Sequence, residues 1–249
     1  MSDDVSSLVR IGKKEWCGDN LVCVPHAGAG VAAFTSWETD ITDIAALWAV
    51  RFPGRESRIF EDPLVTVESM ADSLIEPVLA LKANNLVLYG NCSGALVAYE
   101  LAHRVAASGR EPRALSLVVN SQLPPTAFRD PEGVVSNLPL PEIIKHLRNM
   151  PHMDSEVLES TEFMELILPA IRSDIAATEQ YVHQDRRPKL KFPIIAISDQ
   201  GNGDLSVNGL HGWRELTSAE FQLVALDISG SRSSDRDEAV RNIVRKRFR

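Results

Sequence analysis

The sequence predicts a domain of the α/β class built on a mostly parallel, doubly wound sheet. Short, almost continuously apolar runs rich in β-branched residues alternate along the chain with longer segments of helical periodicity. Such runs are typical of strands that are buried on both faces of a parallel sheet. The chain has 249 residues, 44% of them hydrophobic and 24% charged, which suits one soluble domain around one core. We therefore expect a single domain over residues 1–249 that binds its ligand at the carboxyl ends of the strands.

Six segments are predicted to be strands, because each is apolar, short and followed by a turn-forming residue. In chain order they are Leu21–Pro25, Trp48–Phe52, Leu86–Tyr89, Leu115–Val119, Pro193–Ile197 and Phe221–Leu226. Three segments have the periodicity of helices, namely Val67–Lys82, Ala95–Ser108 and Asp237–Phe248. The alternation of the two kinds of segment is what predicts parallel strands with crossover helices.

The stretch 122–181 interrupts this alternation. It opens with Leu-Pro-Pro, contains Leu138-Pro-Leu-Pro141, and continues with helix-like segments around 143–148, 155–158 and 162–178. An insertion between two strands at their carboxyl edge overhangs the ligand site, so we expect a helical lid here. The alternative is a group of packing helices with no moving part.

Charge and cysteine content exclude several classes of function. The formal net charge of −8 is unsuited to nucleic acid, and the basic tail 241–249 is expected to be the solvated face of a last helix. Cys17, Cys23 and Cys92 have spacings that fit neither a disulfide framework nor a metal site. No apolar run approaches the roughly 18 residues of a membrane helix, and the acidic start lacks a secretory signal. A cytoplasmic location is therefore expected.

The segment Leu86-Val-Leu-Tyr-Gly-Asn-Cys-Ser-Gly-Ala-Leu-Val-Ala-Tyr-Glu100 carries the clearest chemical signal. A predicted strand runs through Gly-x-Cys-x-Gly directly into a predicted helix, which is the pattern of a nucleophile elbow. Gly90 and Gly94 fit such an elbow because side chains there would clash with the neighbouring strand and helix. The helix N-terminus is expected to lower the pKa of Cys92. Cys92 is thus the candidate nucleophile; the alternative is a tight turn with a buried, inert cysteine.

A glycine-rich turn, Val24-Pro-His-Ala-Gly-Ala-Gly30, follows the first predicted strand. An α/β-hydrolase places one half of its oxyanion hole in this turn and the other half at the N–H after the nucleophile. By this pattern the backbone N–H groups of Ala27 and Ser93 would bind the oxyanion, while His26 would shape the loop. A phosphate-binding loop is excluded, because the turn has neither a Gly-Lys-Ser/Thr ending nor G-x-G-x-x-G before a helix.

These segments, with Trp37 and Phe52-Pro-Gly-Arg-Glu-Ser-Arg58, resemble the type II thioesterases of nonribosomal peptide and polyketide synthesis. The similarity continues through Trp213-Arg-Glu-Leu216 to the last helix and so covers nearly the whole chain. The resemblance implies an α/β-hydrolase fold with a helical lid. It also implies an enzyme of antibiotic biosynthesis that releases acyl groups from the phosphopantetheine arm of acyl or peptidyl carrier proteins. Such an enzyme uses a Ser–His–Asp triad and needs no metal or other cofactor.

The chain departs from the family at all three positions of that triad. Cys92 stands in place of the serine, and the position of the histidine, after the last strand, is occupied by Gly230. No histidine follows His211 in the sequence. The position of the aspartate falls near Asn202, with Asp199 and Asp204 as neighbours that could substitute.

This combination favours acyl transfer over hydrolysis. Attack of water on an acyl-enzyme needs a general base, whereas exchange between two thiols is nearly isoenergetic and depends less on one. The sequence therefore predicts that Cys92 accepts an acyl or aminoacyl group and passes it on. Two alternatives remain: a hydrolase with a relocated base, for which His211 or the insertion residues His146 and His152 are candidates, and a catalytically silent protein that binds carrier domains.

Overall fold

The computed structural model describes residues 6–13, 18–127, 135–148, 158–184, 186–199, 207–226 and 233–248. Seven strands form one sheet in the order β1-β3-β2-β4-β5-β6-β7. They are β1 (Leu8–Ile11), β2 (Asp19–Val24), β3 (Ala46–Val50), β4 (Asn85–Asn91), β5 (Ala114–Asn120), β6 (Ile194–Asp199) and β7 (Phe221–Leu226). All neighbouring pairs are parallel except β1 with β3, which is antiparallel. The predicted fold class is confirmed, with β1 as an additional edge strand.

The central strands are buried on both faces, which explains their continuous apolar character. In β4, Leu86 and Leu88 pack into the cluster on one face of the sheet, while Val87 and Tyr89 pack into the cluster on the other face. All four side chains are at most 2% exposed. Because alternate residues of a strand point to opposite faces, a strand covered on both sides has no polar positions to alternate with.

Eight α-helices are described in these ranges, and the predicted helices are among them. They are α1 (Glu38–Ile41), α2 (Val67–Asp72), α3 (Ile75–Ala80), α4 (Ser93–Ala107), α5 (Leu140–Arg148), α6 (Thr161–Glu179), α7 (Val207–Leu210) and α8 (Ser233–Arg245). The predicted helix Val67–Lys82 is divided in two between Asp72 and Ile75. Pro77 accounts for the division, since it has no N–H to donate to the carbonyl of Ser73 four residues earlier.

The basic carboxyl-terminal helix lies against the acidic helix α1. Arg241 pairs with Asp40 at 2.5 Å, and Arg245 pairs with Asp43 at 3.0 Å. The basic residues of α8 are therefore partly neutralised by this contact rather than forming a free cationic face.

The insertion follows β5 and contributes α5 and α6, with short 3-10 turns at Pro125–Ala127 and Val135–Asn137. Apolar residues of both helices form a third cluster, separate from the two that cover the sheet, and Ala27 belongs to it. The predicted segment 155–158 lies mostly outside the described residues. Nowhere in the described part of the chain is a helix both long and apolar enough to cross a membrane.

Candidate active site

Cys92 lies in the sharp turn between the last residue of β4 and the first residue of α4. Its backbone angles are φ 50° and ψ −128°, a left-handed conformation that is strained for a residue with a side chain. A Cβ added to Gly90 would lie 2.4 Å from the Cα of Ala95, and one added to Gly94 would lie 2.4 Å from the carbonyl oxygen of Pro25. Both contacts are with backbone atoms that cannot move aside. The geometry is that of the nucleophile elbow expected from the sequence.

Backbone hydrogen bonds hold the turn on both sides of Cys92. Its N–H donates to the carbonyl oxygen of Asn120, the last residue of β5, at 2.9 Å, and its carbonyl accepts the N–H of Ala95 at 2.8 Å. The side chain of Cys92 is half-buried. Burial raises the pKa of its thiol, and the hydrogen bond from the Ser93 N–H lowers it less than burial raises it. The expectation that the helix N-terminus gives Cys92 a lowered pKa is therefore wrong, because desolvation of the thiolate outweighs the N–H.

The turn that follows β2 runs directly alongside the elbow. The N–H of Ala29 donates to the carbonyl of His26 at 3.1 Å, and Gly28 adopts φ +75°. Ala27 is buried, and its backbone N–H forms no hydrogen bond within the described part of the chain. A Cβ on Gly94, the residue after Ser93, would lie 2.4 Å from the carbonyl oxygen of Pro25, two residues before Ala27, so this turn packs directly on the start of α4. The role of the Ala27 and Ser93 N–H groups as oxyanion donors stays a prediction from the sequence.

A buried ion pair joins this turn to the insertion. Arg55 donates from Nη1 to Asp174 Oδ2 at 2.7 Å and from Nη2 to Asp174 Oδ1 at 2.9 Å. The same Asp174 oxygen Oδ2 accepts the backbone N–H of Gly28 at 2.8 Å. The side chains of Arg55 and Asp174 are 3% and 6% exposed. Arg55 lies in the segment Phe52–Arg58 that carries the resemblance, but neither it nor Asp174 was predicted to be a site residue. The available signal for Asp174 was a carboxylate among the apolar residues Ile171 and Ile175 of a helix.

A second polar group lies beneath the elbow. The side chain of Asn120 donates to the hydroxyl of Tyr89 and to Oδ1 of Asn91, each at 3.1 Å. Ser121, which follows, adopts φ +52° and donates its N–H to the carbonyl of Ile197 at 3.1 Å. Burial raises the pKa of Tyr89 well above its ordinary value, so its hydroxyl remains protonated. These contacts fix the ends of β4 and β5 on which the elbow rests.

A small cavity lies between the elbow and the insertion. Ser93 and Gly94 form its wall on α4, and Asp174 and Thr178 form its wall on α6. The rest of its lining is mostly apolar and consists of Pro25, Phe52, Val67, Met70 and Val97. Helix α6 thus borders the same space as Ser93, the residue that follows Cys92.

The structure does not bring His211 to Cys92. His211 is exposed in a 3-10 turn, and its ring centroid lies 6.2 Å from that of Phe221, the first residue of β7. The ladder of paired residues puts Phe221 level with Leu88, four residues before Cys92 and three strands away from it. At standard sheet spacings this is about 13 Å along the strands and about 14 Å across them.

Of the other residues that the sequence suggested for the site, only some lie in the described part of the chain. Asp204, Asn202 and Gly230 lie outside the described residues, as do Cys17 and His152. Asp199 ends β6. His146 lies half-buried in α5. Among the described residues, no three histidine, cysteine, aspartate or glutamate side chains are grouped as metal ligands would be.

Comparison with known proteins supplies a further finding. A model of the thioesterase domain matches residues 19–248. Thioesterase PikA5 of Streptomyces venezuelae is 30% identical over 208 residues, which cover 82% of this chain and 72% of that protein. Gramicidin S biosynthesis protein GrsT of Aneurinibacillus migulanus is 27% identical over 205 residues, which cover 82% of this chain and 78% of GrsT. The structure of the type II thioesterase BorB, from the borrelidin biosynthetic cluster, has a TM-score of 0.85 at 27% identity and covers 97% of both chains.

Proposed function

The chain belongs to the thioesterase domain family, and on this premise we propose that it transfers acyl or aminoacyl groups between carrier-protein thiols through Cys92. The family and the biosynthetic relatives support a substrate presented on the phosphopantetheine arm of an acyl or peptidyl carrier domain in natural-product biosynthesis. The observation that favours transfer is a cysteine in an intact elbow combined with the absence of any histidine after His211.

The proposed step is thioester exchange. The Cys92 thiolate attacks the carbonyl carbon of the carrier thioester, and the N–H groups of Ala27 and Ser93 bind the oxyanion of the tetrahedral intermediate. The carbon–sulfur bond to the carrier arm then breaks, and the departing thiolate takes up the proton that Cys92 released. The product is acyl-Cys92 and a free carrier thiol. The reverse reaction with a second carrier thiol completes the transfer, so that neither metal nor nucleotide is needed.

Hydrolysis of the same intermediate is disfavoured by the residues present. Water must lose a proton as it attacks, and a positioned base contributes typically 10²–10⁴-fold to such a step. The family's histidine position is Gly230, and His211 lies at the amino end of β7. A second thiol has a pKa far below that of water and requires much less help to attack. We therefore expect acyl-Cys92 to persist in water and to react with thiols.

An acylated carrier domain tests the proposal. Mixing it with the protein should give a mass increase on the intact chain equal to the acyl group, and Cys92→Ala should abolish this adduct. The matched control is Cys23→Ala, because Cys23 is a fully buried cysteine of the neighbouring strand β2 and should not be needed. Adding an unacylated second carrier domain should then transfer the label to it.

Two results would contradict acyl transfer. Rapid release of free acid, faster than transfer to the second carrier, would identify a hydrolase with a base elsewhere in the structure. Binding of the carrier domain without any adduct would identify a silent docking protein.

A further inference from the structure

We propose that Asp174 and Arg55 are positioning residues for the oxyanion hole, through which insertion helix α6 holds the Ala27 N–H in place, a role that rests on the function proposed above. Asp174 also lines the small cavity beside Ser93, but the role proposed for both residues acts through the backbone of the turn. Their side chains bond to the backbone of the turn 26–30 and to each other, and Arg55 Nε also donates to the carbonyl oxygen of Pro53 at 3.4 Å.

Three contacts fix this turn from outside. Asp174 accepts the N–H of Gly28 at 2.8 Å, and Arg55 donates to the carbonyl oxygen of Ala29 at 3.1 Å. Ile171 of α6 packs so closely on Gly28 that an added Cβ would lie 2.3 Å from its Cγ1. The peptide plane between Ala27 and Gly28 is therefore held by its N–H. The Ala27 N–H lies in the preceding peptide plane, that of the His26 carbonyl, which accepts the N–H of Ala29 at 3.1 Å. Contacts on Gly28 and Ala29 therefore also hold the peptide that orients the Ala27 N–H.

The chemistry of the Arg55–Asp174 pair indicates that it does more than attach α6 to the rest of the domain. A buried ion pair gains little stability over apolar residues of similar size, because desolvation of both charges offsets their attraction. An apolar pair in the same place would tie α6 down equally well. What an apolar pair would lack is an acceptor for the Gly28 N–H, which lies next to the proposed oxyanion donor.

The buried carboxylate of Glu100 shows the contrast. It also bonds to arginines, Arg104 and Arg187, and it accepts the hydroxyl of Tyr181. None of its hydrogen bonds within the described part of the chain reaches the turn 26–30. A variant that weakens the Glu100 cluster therefore serves as a control for lost stability without a displaced oxyanion donor.

Two rates measured on the same thiol separate positioning from folding. Acylation of Cys92 by a small thioester forms an oxyanion, whereas alkylation by iodoacetamide is a displacement that forms none. Both rates depend equally on the accessibility and ionisation of the thiol. The ratio of acylation to alkylation therefore reports on the oxyanion hole alone.

The variants are the double substitution Arg55→Met with Asp174→Leu, the conservative Asp174→Asn, and the control Arg187→Met. In the double variant we expect the ratio to fall at least about tenfold, with a Tm close to that of the wild type. Asp174→Asn keeps an oxygen that can accept the Gly28 N–H, so its ratio should stay within about threefold of the wild type even where its Tm falls. Arg187→Met should lower Tm and leave the ratio unchanged.

Three outcomes would overturn the assignment. The first is a double variant that folds and keeps the wild-type ratio, which would make the pair a structural staple. The second is a ratio that falls as much in Arg187→Met as in the double variant, which would make the effect one of general stability. The third is a wild-type protein that is alkylated at Cys92 but never acylated, which would refute the proposed function and this role with it.

Discussion

Different kinds of contact hold the two ends of helix α4, whose last two residues, Ala106 and Ala107, are exposed. At its amino end, Gly94 lies against the carbonyl oxygens of Pro25 and Val24, so that backbone packs directly on backbone. In its carboxyl half, Glu100 and His103 lie in a cluster of charged and aromatic side chains. Beyond its end, Gly109 has no atom within 4 Å of the position of a Cβ.

Because of this difference, we expect larger side chains to destabilise the amino end of α4 and a change in pH to destabilise its carboxyl half. The amino end has no room for additional atoms, and it carries the strained residue Cys92 at φ 50°. The carboxyl half has room for side-chain rearrangement, but its stability depends on which groups are protonated. The elbow should therefore respond to substitutions that add volume, and the Glu100 cluster to acid.

The largest effect is expected from Gly94→Ala. Its Cβ would lie 2.4 Å from a backbone oxygen, which requires the turn 24–30 or the elbow to move, so we expect a loss of about 3 kcal/mol or more of unfolding free energy. Gly109→Ala is the matched control, because it adds the same atom where nothing is in the way. Only the strain of φ +65° remains there, at about 1 kcal/mol. Urea unfolding of both variants measures the difference.

A comparable loss in the two variants would show that the elbow can open to accept a methyl group. The amino end would then tolerate added volume as well as the carboxyl end does, and the contrast between them would disappear.

A smaller effect is expected from acid, through His103. Burial, aided by the charge of Arg187, lowers the pKa of His103 to about 4. The unfolded chain takes up a proton near pH 6.5 and the folded chain only near pH 4, so stability falls as pH decreases through this window. After allowance for solvent screening we expect a loss of roughly 1 kcal/mol, or about 2–4 °C in Tm.

His103→Gln should remove much of this acid sensitivity, because it has no proton to gain. Calorimetric Tm values at pH 7 and pH 4.5 in both proteins measure the difference. If the two proteins lose the same number of degrees, the acid response arises from groups other than His103.

The elbow and the parallel sheet could be predicted from sequence because both depend on local patterns. Continuous apolar runs specify doubly covered strands, and Gly90 and Gly94 specify a turn without room for side chains. The edge strand Leu8–Ile11 was missed because it is only four residues long and its pattern lacks the continuous apolar run. Features that depend on distant partners could not be predicted. Asp174 and Arg55 are separated by 119 positions, and neither local sequence indicates that the two residues pair.

The pKa of Cys92 is a similar case. The sequence shows that a helix begins after it, which suggests a lowered pKa. It does not show how far the folded chain buries the thiol, and burial has the larger effect on the pKa. The site could thus be located from local sequence, while its electrostatics required the packed structure.

The smallest effect, close to none, is expected from His211→Ala, and it tests whether the amino-terminal side of the sheet takes part in catalysis. His211 is exposed and its ring lies against Phe221, which is level with Leu88 rather than with Cys92. A general base must reach within about 3 Å of the proton it removes, or act through one water. We therefore expect release of free acid from preformed acyl-Cys92, followed by mass spectrometry between pH 6 and pH 8, to be equally slow in both proteins. Loss of a working base would instead slow this release by a factor of about 10² or more. Such a result would require the turn 211–216 to approach the elbow during the reaction. The protein would then be a hydrolase rather than the acyltransferase proposed here.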